Sequence, residues 1–471
     1  LIIVASWYTL RAVRRRSRAQ RYAKFAHAQQ CGDLKVIPTS SFSAIWHKLR
    51  LISASETLIL DEIWPEKFAQ HSDTHALTDG HGVPKVVHTT NPANAHAIMV
   101  TNFADWGPTP RRSETLYPLA PEALGTTDGP AWVHNRKMVM KHVGTFRVKD
   151  TRSNEAAIQL LFDAIGGDDV AAADSPAAGW TREVDLMDLF LRMALDMTTE
   201  YLLGTSFGSQ ENGIRDRSGS GTAAAGTGHQ RRKKYGLTWE QAFEIAREYM
   251  SWRAKLGSKA WMADSPRYRQ ACNALNAFID ELILRAIDGT AKSDVDDAAA
   301  AVRFGLVGNL VRERGADPVK IRDFVIDILI AGQNMTGVMA SWIFARLQVH
   351  EGWYPRVREE VLRSFGTESE PRLPLTWDHL RACKDLQNVI QECLRLYPLL
   401  PAIGRSAKQD TVLPTGGGPD GTQPIAVPKG AAATINLYIM HRRRDIWGED
   451  AWEFNPDRWT GRKVGKGFAP L

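Results

Sequence analysis

The residues with the clearest capacity for chemistry stand at 331–337, Ala331-Gly332-Gln333-Asn334-Met335-Thr336-Gly337, inside a long apolar run. Each glycine costs about 1 kcal/mol relative to alanine within a helix, and a buried amide or hydroxyl needs a partner. The small residues either admit a neighbouring helix or, at Ala331 and Gly332, clear a flat patch for a planar cofactor. In the second case a local helix distortion frees backbone groups, and Asn334 and Thr336 supply polar atoms beside it. Trp132 and Arg136 are four apart and share a helix face. They form a stacked surface pair or, near an anionic cofactor, two N–H donors for its carboxylates. Glu392 and Arg395 also share a face. That spacing recurs at Glu244/Arg247 and Glu360/Arg363, but only Glu392/Arg395 lies in an apolar segment closed by Tyr397-Pro398. The cysteines, Cys31, Cys272, Cys383 and Cys393, contain no C-x-x-C pair. They suit reduced thiols in a cytosol-facing protein and argue against a disulfide framework or a zinc site.

Stepping outward from 331–337, Asp317-Pro318 is a helix start, a carboxylate cap before a residue whose missing N–H costs nothing at the first position. No strong breaker follows until Gly352 and Pro355. One helix of about 33 residues, roughly 50 Å long, is expected, with an apolar middle from Phe324 to Trp342 that reads as buried. Trp132 to His142 reads as a basic helix carrying Lys137 and Lys141. Further helical patterns run over 184–203, 238–256, 268–287 and 377–397. Gly166–Gly179 and Gly208–Gly228 are Gly/Ser/Ala-rich breaks, the second expected as a mobile surface loop. Strand-like pieces follow Tyr397, broken by the turn-forming Gly416–Gly421 run. Gly32 to about Ser55 reads as a connector.

The 471 residues can bury a large core. With 44% hydrophobic and 24% charged residues, the composition is that of a soluble globular chain. A net charge of +6 is too mild to argue for nucleic acid, and no nucleic-acid-reading motif accompanies it. Leu1 to Leu10 is apolar and is followed by Arg11, Arg14, Arg15, Arg16 and Arg18. Ten residues are too few for a bilayer, which takes about 20. Residues 1–36 are expected to be the remnant of an N-terminal membrane anchor with a basic linker, its arginines on the cytoplasmic side. Residues 37–471 are expected to form one catalytic domain.

The ordered set resembles the cytochrome P450 superfamily of haem-thiolate monooxygenases over nearly the whole chain. It comprises the apolar start, Trp132-x-x-x-Arg136, the Ala331-Gly332 helix, Glu392-x-x-Arg395, Arg405 and Phe454-x-Pro456-x-Arg458. The resemblance implies a mainly α fold with a small β region and haem against the central helix. It also implies propionate binding by Trp132, Arg136 and Arg405, and a buried charge triad of Glu392, Arg395 and Arg458. The Gly416–Gly421 run, Met440–Ala451 and Arg253–Gly257 look most like the fungal branch that hydroxylates alkanes and fatty acids. That placement implies a hydrophobic substrate, electrons from NADPH through NADPH-cytochrome P450 reductase, and an endoplasmic reticulum membrane site facing the cytosol. Lys137 and Lys141 are a candidate reductase-docking face.

Two departures follow from the same comparison. The family's Phe-x-x-Gly-x-Arg-x-Cys-x-Gly loop, which carries the iron's thiolate, is not found, so the chain is expected to be a fragment that is itself inactive. Where the family carries an acid and a threonine that relay protons, this chain has Asn334 and Met335. Thr336 is one residue late, about 100° round the helix. Two alternatives accompany the monooxygenase: a peroxide-using haem isomerase or dehydratase, and a haem-free lipid-binding protein.

Overall fold

The computed structural model describes residues 2–37, 59–78, 82–143, 152–166, 183–218, 233–291, 297–312, 317–367 and 369–461. The chain divides into two compact units. Leu1–Pro110 joins Leu394–Leu471 in the first, and Arg111–Cys393 forms the second. In chain order the labelled helices are α1 (Ile2–Ala28), α2 (Trp64–His71), α3 (Pro110–Leu116), α4 (Gly129–Val143) and α5 (Arg152–Ile165). There follow α6 (Leu186–Leu203), α7 (Ser209–Ser218), α8 (Trp239–Leu256), α9 (Pro266–Ala291) and α10 (Asp297–Leu310). The last are α11 (Pro318–Val349), α12 (Trp353–Phe365), α13 (Trp377–Ala382) and α14 (Lys384–Leu396).

The first unit holds the β structure. Strands β1 (Val36–Ile37), β2 (Thr74–Thr78), β3 (Pro84–Thr89), β4 (Trp106–Gly107), β5 (Ala402–Ala407) and β8 (Ala432–Asn436) form one sheet. Its order is β1-β2-β3-β8-β5-β4. The late strand β8 is central, parallel to β3 (Val87 beside Ala433) and antiparallel to β5 (Arg405 beside Ala433). Val87, Ala433, Ile435 and Trp106 are fully or almost fully buried on it. β6 (Thr411–Gly417) and β7 (Gln423–Val427) form a hairpin whose turn is the glycine-rich run expected to be one. Asn94, itself buried, ties this hairpin to the sheet. Its Nδ2 donates to Thr74 Oγ1 (3.2 Å), Thr89 Oγ1 (3.1 Å) and the Thr415 carbonyl (3.0 Å), and its Oδ1 accepts from Thr415 N (3.1 Å). The apolar start and the arginines expected to leave a membrane belong to one helix, α1, whose Tyr22 hydroxyl donates to the Ala426 carbonyl. The expected connector falls largely on 38–58, outside the described residues.

The second unit is helical. Asp185 opens α6 by accepting from Met187 N and Asp188 N, and Thr238 with Gln241 forms a reciprocal capping box on α8. Asp317 caps α11 through Val319 N at 2.9 Å, as its Asp-Pro start requires. α11 runs unbroken from Pro318 to Val349 and packs most extensively on α6. Ser209–Ser218, expected as part of a mobile loop, is a helix. The carboxylate of Asp196 on α6 accepts from Ser209 N (2.7 Å) and Gln210 N (2.9 Å), which satisfies the first amides of α7. This anchor lies 13 residues upstream, beyond the reach of a composition window. Residues 219–228 of that stretch lie outside the described residues, as do 167–179 of the other Gly-rich break.

Candidate functional site

The middle of α11 carries no kink at 331–337, so the expected distortion is absent. The glycines answer to helix packing. A Cβ on Gly337 would lie 2.9 Å from Leu191 Cα, and one on Gly332 would lie 2.9 Å from Thr198 Oγ1. Both contacts are with α6, so Gly332 is occupied by a protein neighbour and only Ala331 of the pair faces open space. Nor is the segment buried on all sides. Ala331, Met335 and Thr336 are exposed, Met335 to 37%, while Gln333 and Gly337 are buried. Ala331 and Met335, one turn apart, form an uncovered strip on an otherwise apolar helix. Asn334 is half-buried beside it.

On the other flank, Asn334 reaches the wall of a cavity of about 270 Å³. Trp239, Phe243, Ala246 and Met250 come from α8, Leu275 and Ile279 from α9, and Ile326, Leu329 and Ile330 from α11. Spacings of three and four on α8 and α11 put each set on one face. Thr115, Leu119, Arg247 and Ser251 complete the lining. The segment that brings Leu119 here is held by α11 itself. Asp323 accepts from Glu122 N at 2.8 Å, and Asp327 accepts from Gly125 N at 2.9 Å. Burial raises both carboxyls above the usual range against these bonds. These acids one turn apart in an apolar helix were a legible sign of a buried anchor. The cavity residues were not singled out from sequence, although the 239–250 spacing carries the pattern.

The proposed cofactor-binding residues are placed as follows. Arg136 is exposed on α4 with its guanidinium carbon 5.1 Å from the Trp132 ring centroid, which is the stacked pair expected as one alternative. Arg405, in the first unit, is half-buried on β5 and donates to the Gly404 carbonyl at 3.0 Å. Of the expected triad, Glu392 and Arg395 are fully buried on α14. Arg395 donates to the carbonyls of His441 (2.6 Å), Ala451 (2.6 Å) and Glu453 (3.0 Å) and lies over the Trp447 ring. Arg458 donates to the Trp447 and Asp450 carbonyls (2.8 and 2.9 Å) and pairs with the Asp450 carboxylate at 2.9 Å. Asp450 is a partner that spacing did not reveal.

Haem, which the resemblance implies, is a flat apolar ring with acidic edges. The uncovered Ala331–Met335 strip and the exposed Arg136 suit the ring and the acid edge. The cysteines do not suit the iron. Burial pushes the thiols of Cys272 and Cys393 up to about 12, so both keep their protons at neutral pH. Burial also raises the Cys31 thiol, and Cys383 is buried with its thiol 3.5 Å from the His379 carbonyl. Cys31, Cys272 and Cys393 are therefore not poised as thiolates. Among the described residues no group of His, Cys, Asp or Glu is placed to hold a metal ion.

Comparison with known proteins gives a consistent answer. The family model described as Cytochrome P450 matches residues 80–470. Cytochrome P450 monooxygenase g430 of Fusarium sp is 31% identical over 82% of this chain and 65% of its own length. Cytochrome P450 52A5 of Candida maltosa is 30% identical over 87% of this chain and 73% of its own. The chain thus spans about two thirds of the length of these relatives. The crystal structure of a cytochrome P450 (CYP102L1) superposes with a TM-score of 0.62 at 17% identity, covering 88% of this chain and 85% of that one. That likeness establishes the mostly helical fold with its small sheet.

Proposed function

The chain belongs to the cytochrome P450 family, whose cofactor is haem, and we propose that the full-length protein is a monooxygenase. In this reading one oxygen atom from O2 enters an apolar substrate such as an alkane or fatty acid, with electrons from NADPH through a reductase. The observation that carries it is the apolar cavity that ends at Asn334 on α11. A cavity walled by Trp239, Phe243, Met250, Leu275 and Ile279 gains affinity from each methylene it takes out of water, about 0.8 kcal/mol apiece. The relative named Cytochrome P450 monooxygenase g430, from Fusarium sp, supports the monooxygenase assignment.

Haem, when bound, supplies the redox iron at which dioxygen is activated. The ring is assigned to the Ala331–Met335 strip, and the propionates to Trp132 and Arg136, where charge-assisted N–H···carboxylate bonds are strong. Gly332 holds the helix close to α6. Asn334 holds a water at the cavity end but has no carboxyl proton to release, and Thr336 points about 100° away from the position of Met335. Proton delivery then depends on ordered water, and part of the NADPH consumed appears as hydrogen peroxide. Lys137 and Lys141, on α4, are the proposed reductase-docking residues, and the arginines of α1 the proposed cytosolic flank of an endoplasmic reticulum anchor.

The test uses full-length protein with NADPH, a reductase and dodecane or dodecanoate. NADPH-dependent hydroxylated product is expected, with the Met335→Thr variant releasing less peroxide per NADPH. Tight coupling in the unaltered protein refutes the relay assignment. Turnover of a fatty-acid hydroperoxide without NADPH favours instead the peroxide-using reading, which the Asn334-Met335 pair also suits.

A further inference from the structure

We propose that the cavity selects chains bearing a carboxylate, and that Arg247 is the residue that selects them; this rests on the apolar-cavity reading above. Among the described residues lining the cavity, Arg247 is the one that carries a charge. It stands on α8 one turn from Phe243 and from Ser251, which line the same cavity. Its guanidinium is committed lightly. A single nitrogen, Nη2, donates to Glu244 Oε1 (2.8 Å) and Oε2 (3.0 Å). The side chains are 44% and 67% exposed. An ion pair this exposed, three residues apart on one helix, adds little to stability and yields readily to a competitor. Nε and Nη1 remain for a ligand, and a carboxylate suits that planar fork better than any neutral head group.

The alternative occupant, a plain alkane, gains nothing from a cation at the rim. A chain held by its carboxylate at Arg247 lays its methylenes on Phe243, Met250, Leu275 and Ile279, and its far end belongs with Asn334. Glu244 is then the resident anion that an incoming carboxylate displaces. Arg247 is thus a specificity-determining residue.

The experiment measures binding of dodecanoate and 1-dodecanol, below their aggregation limits, to the full chain by titration calorimetry. The unaltered chain is expected to bind dodecanoate about tenfold more tightly than dodecanol. Arg247→Met removes that preference and leaves dodecanol within about twofold, Arg247→Lys restores part of it, and Glu244→Gln tightens dodecanoate a few-fold. Equal weakening of both ligands in Arg247→Met, or no change in either, overturns the assignment of Arg247 while the apolar-cavity reading stands. Failure of the unaltered chain to bind either ligand overturns both.

Discussion

At the scale of single residues, burial sets the strength of each interaction. Arg458 has a side chain only 6% exposed and satisfies two carbonyls and Asp450 at once. Removing it takes this donor from two part-buried carbonyls and leaves the Asp450 carboxylate with its bond from Asn455 Nδ2 (2.9 Å). Arg458→Ala should therefore lower unfolding free energy by about 2–4 kcal/mol in urea melts, and Arg458→Lys should recover little because one ammonium cannot match the fork. His75 shows the same logic through pH. It is fully buried between Phe68, His71 and His88, donates from Nδ1 to the Ser72 carbonyl, and has no partner at Nε2. Burial first, then the nearby Lys67 and His71, holds its pKa down to about 4 against the opposing Ser72 bond and Asp73. The unfolded chain takes up the proton near 6.5, so native stability is intact above that pH and falls as pH drops from about 6.5 to about 4, by up to about 3 kcal/mol. His75→Leu should flatten that part of the stability–pH profile. An unchanged slope would place the titration elsewhere.

At the scale of elements, the pairing of α11 with α6 is set by the two glycines. The missing Cβ of Gly337 is replaced by the backbone of Leu191, whereas that of Gly332 is replaced by the Thr198 side chain. Backbone cannot step aside without moving a helix, so Gly337→Ala should destabilise by about 1–3 kcal/mol. Gly332→Ala should cost less, and Thr198→Ala should rescue it by removing both the hydroxyl 2.9 Å and the methyl group 3.0 Å from the new Cβ. Thermal melts of these variants check the order; a larger loss at Gly332 would mean that the helices pivot there instead. The glycines were visible as a notch in an apolar helix, but their chemical meaning was not. Close helix contact and room for a cofactor ask for the same residue, and only the position of α6 separates them.

At the scale of the whole molecule, the chain leaves the first unit at Pro110 and returns to it at Leu394. β8 is the strand that closes that unit, lying between β3 and β5. A chain ending at Cys393 would lose β5 to β8 and leave open the edge of β3 that pairs with β8. It should partition into the insoluble fraction on expression, and a soluble monomer with native strand content would show the first unit to be complete without β8. The sequence alone determined the family, the reach of α11 from its Asp-Pro cap, the stacking partners Trp132 and Arg136, and the helical class. Those rest on local spacing, cap chemistry and the order of motifs, all of which are properties of short stretches. Tertiary structure alone decided the division into two units, the burial of Gly332 against Thr198, the helix at Ser209–Ser218, the Asp450 partner of Arg458, and the cavity with Arg247 at its rim. Each of these depends on residues far apart in the chain meeting in space, and a pattern read along one strand or helix carries no record of what packs across from it.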